Sequence, residues 1–432
     1  MIYLDVNFNE KGCKDMNILE ITGGETLSGQ IRISGAKNSV VALLPAAILA
    51  DSDVTICNVP EITDTNALVD MLKYLDADIK RASESMIINP KKVTNKIIRK
   101  EDAKKLRASY YFMGALLGKF KKVEMYFPGG CSIGKRPIDL HLKGFEALGA
   151  TVTNEDDKYI VEAKELKGAN IYLDIASVGA TINIMLASTK AKGTTIIENA
   201  AKEPEIVNIA TFLNNMGANI TGAGTSTIKI EGVDHLHGCF HEVIPDRIEA
   251  GTYLIIGALC GNFLKIDNII PEHLEALTSK LQEVGVYLEI GTNYIIVSKS
   301  TEYKPTTIKT MTYPGFATDL QQPFSVLLTQ CNGKSKIEET IWENRFMHVP
   351  YLNKMGANIE VKNQTSTIKG KTNLVGTTVE ATDLRAGASL VAAGLIATAT
   401  TQITNIEHIL RGYEQIVEKL TNVGAKIKIK EI

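Results

Sequence analysis

The feature that most constrains the fold is a sixfold repeat of a helix end, a tight turn and a strand: LDADI, LGATV, MGANI, VGVYL, MGANI and VGAKI. The second residues are Asp76, Gly149, Gly217, Gly285, Gly356 and Gly424, spaced 73, 68, 68, 71 and 68 apart. Self-similarity at one period means that each unit is a single supersecondary module, and six of them fill the 432 residues. Glycine at this position is a natural helix C-cap, because it adopts the left-handed conformation that turns the chain into the next strand.

Each module holds a second helix that is apolar or small all round. The six read VVALLPAAILA from Val40, YYFMGALLG from Tyr110, ATINIMLAS from Ala180, GTYLIIGALC from Gly251, PFSVLLTQC from Pro323 and ASLVAAGLIAT from Ala388. A helix without a polar face is buried on every side. The strands and amphipathic helices must then surround these six, which predicts an inside-out α/β architecture with helices within and sheet further out.

Composition limits the function classes. A chain with 44% hydrophobic and 22% charged residues and a net charge of −2 is globular, of two or three domains, and has no basic surplus for nucleic acid. No apolar run approaches the ~18 residues that span a bilayer, and the N-terminus lacks the charged start and apolar core of a signal peptide, so a cytoplasmic location is expected. The six cysteines stand singly without C-x-x-C spacing, which points away from a disulfide scaffold and from zinc. His235, His237 and His241, with Gly238 and Cys239 between them, read as a surface turn rather than a metal site.

Two sets of residues carry chemistry. The starts of the buried helices align at Lys37, Arg107, Ser177, Arg247, the Thr318-Asp319 pair and Arg385. A cation there opposes the helix macrodipole, and a bound anion would resolve the conflict. Pairing with carboxylates accounts for one or two of these cations but not for all. The second set is PGGCSIGKRPIDLH, Pro128 to His141, which puts Cys131 on a glycine-rich turn beside Lys135 and Arg136, with Pro137 barring a helix. Those cations favour thiolate, so Cys131 is built to react. Gly129 to Lys135 also spells a P-loop, but Arg136 and Pro137 stand where Ser or Thr and a helix are needed, which speaks against nucleotide triphosphate hydrolysis.

With that loop, the segments SGAKNS from Ser34, LRAS from Leu106, SVGAT from Ser177, ENAAKEPEIV from Glu198, PDRIEAG from Pro245, ENRFMHVP from Glu343, ATDLRAGASL from Ala381 and RGYE from Arg411 extend in one register from about Ile18 to the C-terminus. In this the chain closely resembles the UDP-N-acetylglucosamine 1-carboxyvinyltransferases, the enolpyruvyl transferases that open bacterial peptidoglycan synthesis. The resemblance implies a two-domain inside-out α/β barrel fold with three modules per domain and a cleft between. One domain, 37–244, would carry the cysteine loop, and the other would combine 1–36 with 245–432, the chain crossing near Gly35-Ala36 and again just before Pro245-Asp246.

The activity implied is transfer of the enolpyruvyl group of phosphoenolpyruvate to the 3′-hydroxyl of UDP-N-acetylglucosamine, with release of phosphate through a tetrahedral intermediate. Carbon 3 of phosphoenolpyruvate must gain a proton and the sugar hydroxyl must lose one. By resemblance Cys131 is the proton donor and Asp319 the base. Lys37, Arg136 and Arg411 hold phosphoenolpyruvate, and Arg385 binds its carboxylate end. Asn38, Arg107, the loop Pro137, Ile138, Asp139, Leu140 and His141, then Ser177, Val178, Gly179, Asp319 and Ile341 contact the nucleotide sugar, with Ile138 and Leu140 sandwiching the uracil. Glu203, Arg247 and Arg345 are expected as ion-pair partners in the cleft.

No metal and no organic cofactor is implied, because phosphoenolpyruvate itself carries the activated group; the partners expected are the two substrates, with neither nucleic acid nor membrane. Ile175 departs from the family, standing where many relatives have a lysine near the diphosphate. About 15 residues precede Met16 and suggest a tail, or translation from Met16. Two alternatives are another enzyme of the fold class, such as the shikimate-pathway transferase or RNA 3′-phosphate cyclase, and a silent paralogue that senses UDP-N-acetylglucosamine. The cysteine loop and the uracil-contact run argue against the first, and intact Cys131, Asp319, Lys37 and Arg411 against the second.

Overall fold

A computed structural model describes residues 17–82, 84–127 and 138–431. The six apolar segments form helices Lys37–Ala46, Tyr111–Phe120, Val178–Ser188, Arg247–Cys260, Thr318–Thr329 and Leu384–Ile396, each buried over nearly its whole length. They pack in two groups of three. Tyr111–Phe120 lies on Val178–Ser188 and on Lys37–Ala46, while Thr318–Thr329 lies on Leu384–Ile396 and on Arg247–Cys260. Among the described residues six separate sheets cover these helices, five of four strands and one of three. In a typical one, Thr194–Glu198 pairs antiparallel with Thr227–Glu231 and parallel with Asn170–Tyr172. Alternate residues of the central strands point inward, as in Val54–Cys57, where Val54 and Ile56 are buried, so each sheet lays one apolar face on the helices.

All six repeat turns have the left-handed backbone that the glycine pattern predicts. Asp76 has φ 69°, and Gly149, Gly217, Gly285, Gly356 and Gly424 lie between 90° and 104°. Asp76 holds the position without glycine because its carboxylate is fixed by the Thr94 hydroxyl at 2.5 Å and the Lys96 ammonium at 2.7 Å.

The buried apolar residues fall into two clusters. One runs from Ala36 to Val243, and the other combines Leu19, Ile21, Leu27, Ile31 and Ile33 with residues Ile248 to Ile427. The first strand, Asn17–Thr22, sits between Thr400–Thr404 and Lys426–Glu431, and Gln30–Arg32 pairs with Leu264–Asp267. The chain passes between the clusters on two segments that pair with each other: Ala36 N–H donates to the Ile244 carbonyl at 2.7 Å and Asp246 N–H to that of Ser34 at 2.9 Å. A Cβ on Gly35 would lie 1.8 Å from the Asn58 carbonyl oxygen, so only glycine fits this crossing.

His241 differs from its expected place on a surface turn. It belongs to strand Phe240–Glu242 and is buried, its ring nitrogens facing the Asn208 amide at 3.0 Å and the Asn215 amide at 3.2 Å. Burial lowers its pKa to about 4, so it is a neutral core histidine. Among the described residues no helix is long and apolar enough to cross a membrane.

Candidate active site

The N-termini of the buried helices bring their polar residues to the junction between the two clusters. Lys37 opens its helix, and its ammonium meets Asp64 Oδ2 at 2.8 Å. Asp64 stands in the first turn of helix Thr63–Tyr74, where a negative charge suits the macrodipole. Arg411 grips the same carboxylate from the far end of the sequence, Nε to Oδ1 at 2.8 Å and Nη2 to Oδ2 at 3.4 Å. Asp64 is only 4% exposed. Burial alone would raise its pKa, but the charges of Lys37 and Arg411 prevail and hold it below the usual carboxylate range. Lys37 is shifted down as well, by burial against the support of Asp64, with Arg385 and Arg411 adding to the lowering. The same downward shift favours the charged form of Asp64, which faces two cations, and disfavours that of Lys37, which is buried and faces one carboxylate and two guanidiniums.

Asp319 centres a second cluster. It lies in the first turn of its helix and accepts from Arg345 Nη2 at 2.6 Å and Arg385 Nε at 3.1 Å. Both arginines are nearly enclosed, at 3% and 4% exposure. Asp383 caps the following helix through the backbone N–H groups of Arg385 and Ala386, and its carboxylate stands 4.0 Å from Arg345 Nη1. Arg385 lies over the Tyr413 ring at 5.4 Å. Burial disfavours its charge, but Tyr413 and Asp319 more than compensate and keep its pKa above the ordinary value. Beside this cluster the buried Glu339 accepts from the Thr318 hydroxyl and from the Ile341 N–H, at 2.9 and 2.8 Å, which sets Ile341 next to the start of the Asp319 helix.

The third cluster gathers Arg107, His141, Ser177 and Gly179. Ser177 caps its helix through the Ala180 N–H at 3.3 Å. A Cβ on Gly179 would come within 2.9 Å of the His141 ring and 3.0 Å of the Tyr110 hydroxyl, so glycine keeps this wall close. Asn183 Oδ1 accepts the Gly114 N–H at 2.8 Å, which turns its amide nitrogen toward His141 Nδ1, also at 2.8 Å. His141 is therefore the Nε2–H tautomer, and burial together with the Arg107 charge lowers its pKa to about 3.

The structure corrects several expectations. Carboxylate pairing goes further than the one or two cations expected: Lys37 pairs with Asp64, Arg385 with Asp319, and Arg247 with Glu205 at 3.1 Å. Cations this far out of water need such partners, and the sequence does not mark acids that approach from another element. Arg247 thus pairs with Glu205 rather than Glu203, whose carboxyl is raised in pKa by burial. Arg107 opens a 3₁₀ turn, Arg107–Tyr110, ahead of its helix. Asp139, Leu140 and His141 form the first turn of helix Asp139–Ala147 rather than a loop, and Ile138 is 5% exposed, packed in the first cluster. Asn38 and Val178 follow Lys37 and Ser177 at the helix starts. Ile175 is 68% exposed, an unusual position for so apolar a side chain. Cys131, Lys135, Arg136 and Pro137 lie outside the described residues.

Sequence reasoning missed Asp64, Glu205, Asp383 and Glu339. An acid two residues into an amphipathic helix, such as Asp64 after Thr63, is ordinary in sequence, and only the fold brings it to Lys37. Chemically, the junction gathers two buried arginines, Arg345 and Arg385, with the part-exposed Lys37 and Arg411, cations of the kind that hold an anion, and at Asp319 a carboxylate of the kind that engages a hydroxyl.

Comparison with known proteins agrees with this chemistry. The family described as EPSP synthase (3-phosphoshikimate 1-carboxyvinyltransferase) matches residues 21–420. A UDP-N-acetylglucosamine 1-carboxyvinyltransferase 2 of Geobacillus kaustophilus is 53% identical over 412 residues, covering 95% of this chain and 96% of that one. That of Listeria monocytogenes is 53% identical over 409 residues, with 95% and 97% covered. Among solved structures, the enolpyruvyl transferase NikO from Streptomyces tendae superposes with a TM-score of 0.89 at 26% identity, over 97% of this chain and all of that one. EPSP synthase from Acinetobacter baumannii shares the fold, with a TM-score of 0.74 at 17% identity over 96% of this chain and all of its own.

Proposed function

The chain belongs to the UDP-N-acetylglucosamine 1-carboxyvinyltransferases of the EPSP synthase family, and from that membership we propose how its residues divide the reaction. It is an enzyme that transfers the enolpyruvyl group of phosphoenolpyruvate to UDP-N-acetylglucosamine and releases phosphate, the first committed step of peptidoglycan synthesis. The observation that carries the assignment of roles is the convergence of Lys37, Arg411 and Arg385 with Asp64 and Asp319 at the helix starts.

Lys37, Arg411 and Arg136 hold the phosphate of phosphoenolpyruvate, and Arg385 holds its carboxylate. Charge-assisted bonds from several converging cations suit a trianion better than water does. Asp319 takes the proton of the 3′-hydroxyl as the sugar oxygen bonds to carbon 2 of phosphoenolpyruvate, while the Cys131 thiol gives its proton to carbon 3. The addition intermediate then loses phosphate from carbon 2 and a proton from carbon 3, which restores the double bond in the product. Arg385 now spans Asp319 at 3.0 Å, so an arriving substrate carboxylate competes for the same guanidinium and frees Asp319 to meet the hydroxyl. Asn38, Arg107, Pro137 to His141, Ser177, Val178, Gly179 and Ile341 line the path of the nucleotide sugar, with the neutral His141 as an N–H donor.

Two domains, 37–244 and 1–36 with 245–432, close on these substrates; the separate apolar clusters on either side of the paired crossing support this division. The cytoplasm is the compartment the reading calls for, since both substrates are phosphorylated metabolites that do not cross membranes. The test is an acceptor panel with phosphoenolpyruvate as donor, read by mass spectrometry of the product. UDP-N-acetylglucosamine should gain an enolpyruvyl ether and shikimate 3-phosphate should not; the reverse preference would overturn the reading.

A further inference from the structure

We infer that Asp64 is a positioning residue of the transfer site, tying Lys37 to Arg411 across the junction of the two halves so that both cations serve one anion. The inference rests on the reading of Lys37 and Arg411 as the pair that holds phosphoenolpyruvate. Asp64 belongs to the half with the first apolar cluster, Arg411 follows helix Glu407–Leu410 in the other, and Lys37 opens its helix beside the crossing. One carboxylate serves both: Oδ1 lies 2.8 Å from Arg411 Nε, and Oδ2 lies 2.8 Å from the Lys37 ammonium. An arginine engaged by both oxygens is fixed in direction as well as in distance.

The surroundings reinforce the tie. Glu61 N–H donates to Glu414 Oε1 at 2.5 Å, and the Thr63 hydroxyl to the Leu410 carbonyl at 3.4 Å, so residues 61–64 are seated on the turn that carries Arg411. That turn presses on Lys37 in return, since a Cβ on Gly412 would lie 3.1 Å from Lys37 Cδ. The charges that face Lys37 are Asp64, Arg385, Arg411 and Asp246, and Asp246 is engaged with backbone groups, among them the Lys37 N–H at 3.0 Å. Asp64 is thus the acid that keeps Lys37 charged beside two guanidiniums. A latch that merely joined the halves would have no bearing on the Lys37 proton, and this difference makes the role testable.

The test is the isosteric Asp64→Asn, assayed for phosphate release at varied phosphoenolpyruvate and pH. With the carboxylate charge gone, KM for phosphoenolpyruvate should rise, by up to about 100-fold as for a contact misplaced by an ångström, while kcat falls less. The alkaline limb of kcat/KM should move to lower pH, because Lys37 loses the charge that supports its protonated form. Asp64→Glu should bring the limb back. Competitive acylation of Lys37 across pH, read by peptide mass spectrometry, follows the same proton without turnover and should shift down in Asp64→Asn and up in Arg411→Gln. An unmoved limb with wild-type KM, or loss of thermal stability alone, overturns the inference. Should Asp64→Asn not fold, an unchanged acylation profile in Arg411→Gln does so instead. A wild-type protein that releases no phosphate contradicts the transferase reading, and the acylation profiles then judge Asp64 by themselves.

Discussion

Arg345 offers a measure of how much the Asp319 cluster contributes to the fold. Arg345→Met keeps much of the length and packing of the side chain and removes the charge. The guanidinium is 3% exposed, touches Asp319 at 2.6 Å and lies 4.0 Å from Asp383. Stripping one partner from a buried ion pair costs about 3–5 kcal/mol, because the remaining charge stays buried without compensation. Here the low end applies. Asp319 keeps Arg385 at 3.0 Å and is 27% exposed, and Asp383 keeps two backbone N–H donors. A loss of about 3 kcal/mol in a half of roughly 200 residues corresponds to a fall in melting temperature of about 6–12 °C. Thermal unfolding followed by circular dichroism reads this directly, and phosphate release well below the transition reads the effect on Asp319, which would be held by one arginine instead of two. An unchanged melting temperature would show that solvent screens this cluster and that its burial carries no such cost.

Arg411→Ala or Lys37→Ala should lose about 2–4 kcal/mol of transition-state stabilisation with the fold intact, seen as lower kcat/KM; near-normal turnover would remove the residue from the anion site. Cys131 should outpace the other cysteines with an anionic epoxide such as fosfomycin, since burial raises the thiol of Cys57, that of Cys239 to about 11, and those of Cys260 and Cys331 to about 12. Peptide mass spectrometry should find the adduct on Cys131, and Cys131→Asp should be insensitive; an adduct on Cys260 or Cys331 would contradict this. The folded-state pKa of Asp64 is depressed, so its pairing stabilises above the unfolded value near 4 and is lost as pH falls through the folded value. Acid titration of stability should accordingly be shallower in Asp64→Asn than in the wild type, and parallel curves would refute the linkage.

The sequence made the scaffold legible because the repeat is a backbone property. A left-handed turn residue and an all-apolar helix are local signals, and both recur at the predicted positions from Asp76 to Gly424 and from Lys37 to Ile396. Lys37, Arg247 and Arg385 were legible for the same reason, since each stands in the first turn of a buried helix, whereas Arg411 follows a short helix and was legible only through the resemblance. Their counter-ions were not. Glu205 and Asp383 reach Arg247 and Arg345 from other modules, and Asp64 reaches Lys37 from a different helix of the same module, and no periodicity marks an acid whose partner sits on another element. Proline at 137 concealed a helix start as well: Asp139–Ala147 begins two residues beyond it, so Leu140 and His141 present themselves from a helix turn.

The most direct measurement is a crystal structure of the enzyme with UDP-N-acetylglucosamine and fosfomycin. The account predicts the phosphonate against Lys37 and Arg411, the opened epoxide on Cys131 sulfur, and the sugar 3′-hydroxyl within hydrogen-bond distance of Asp319. A phosphonate bound away from Lys37 and Arg411, or a sugar whose 3′-hydroxyl faces a group other than Asp319, would contradict it.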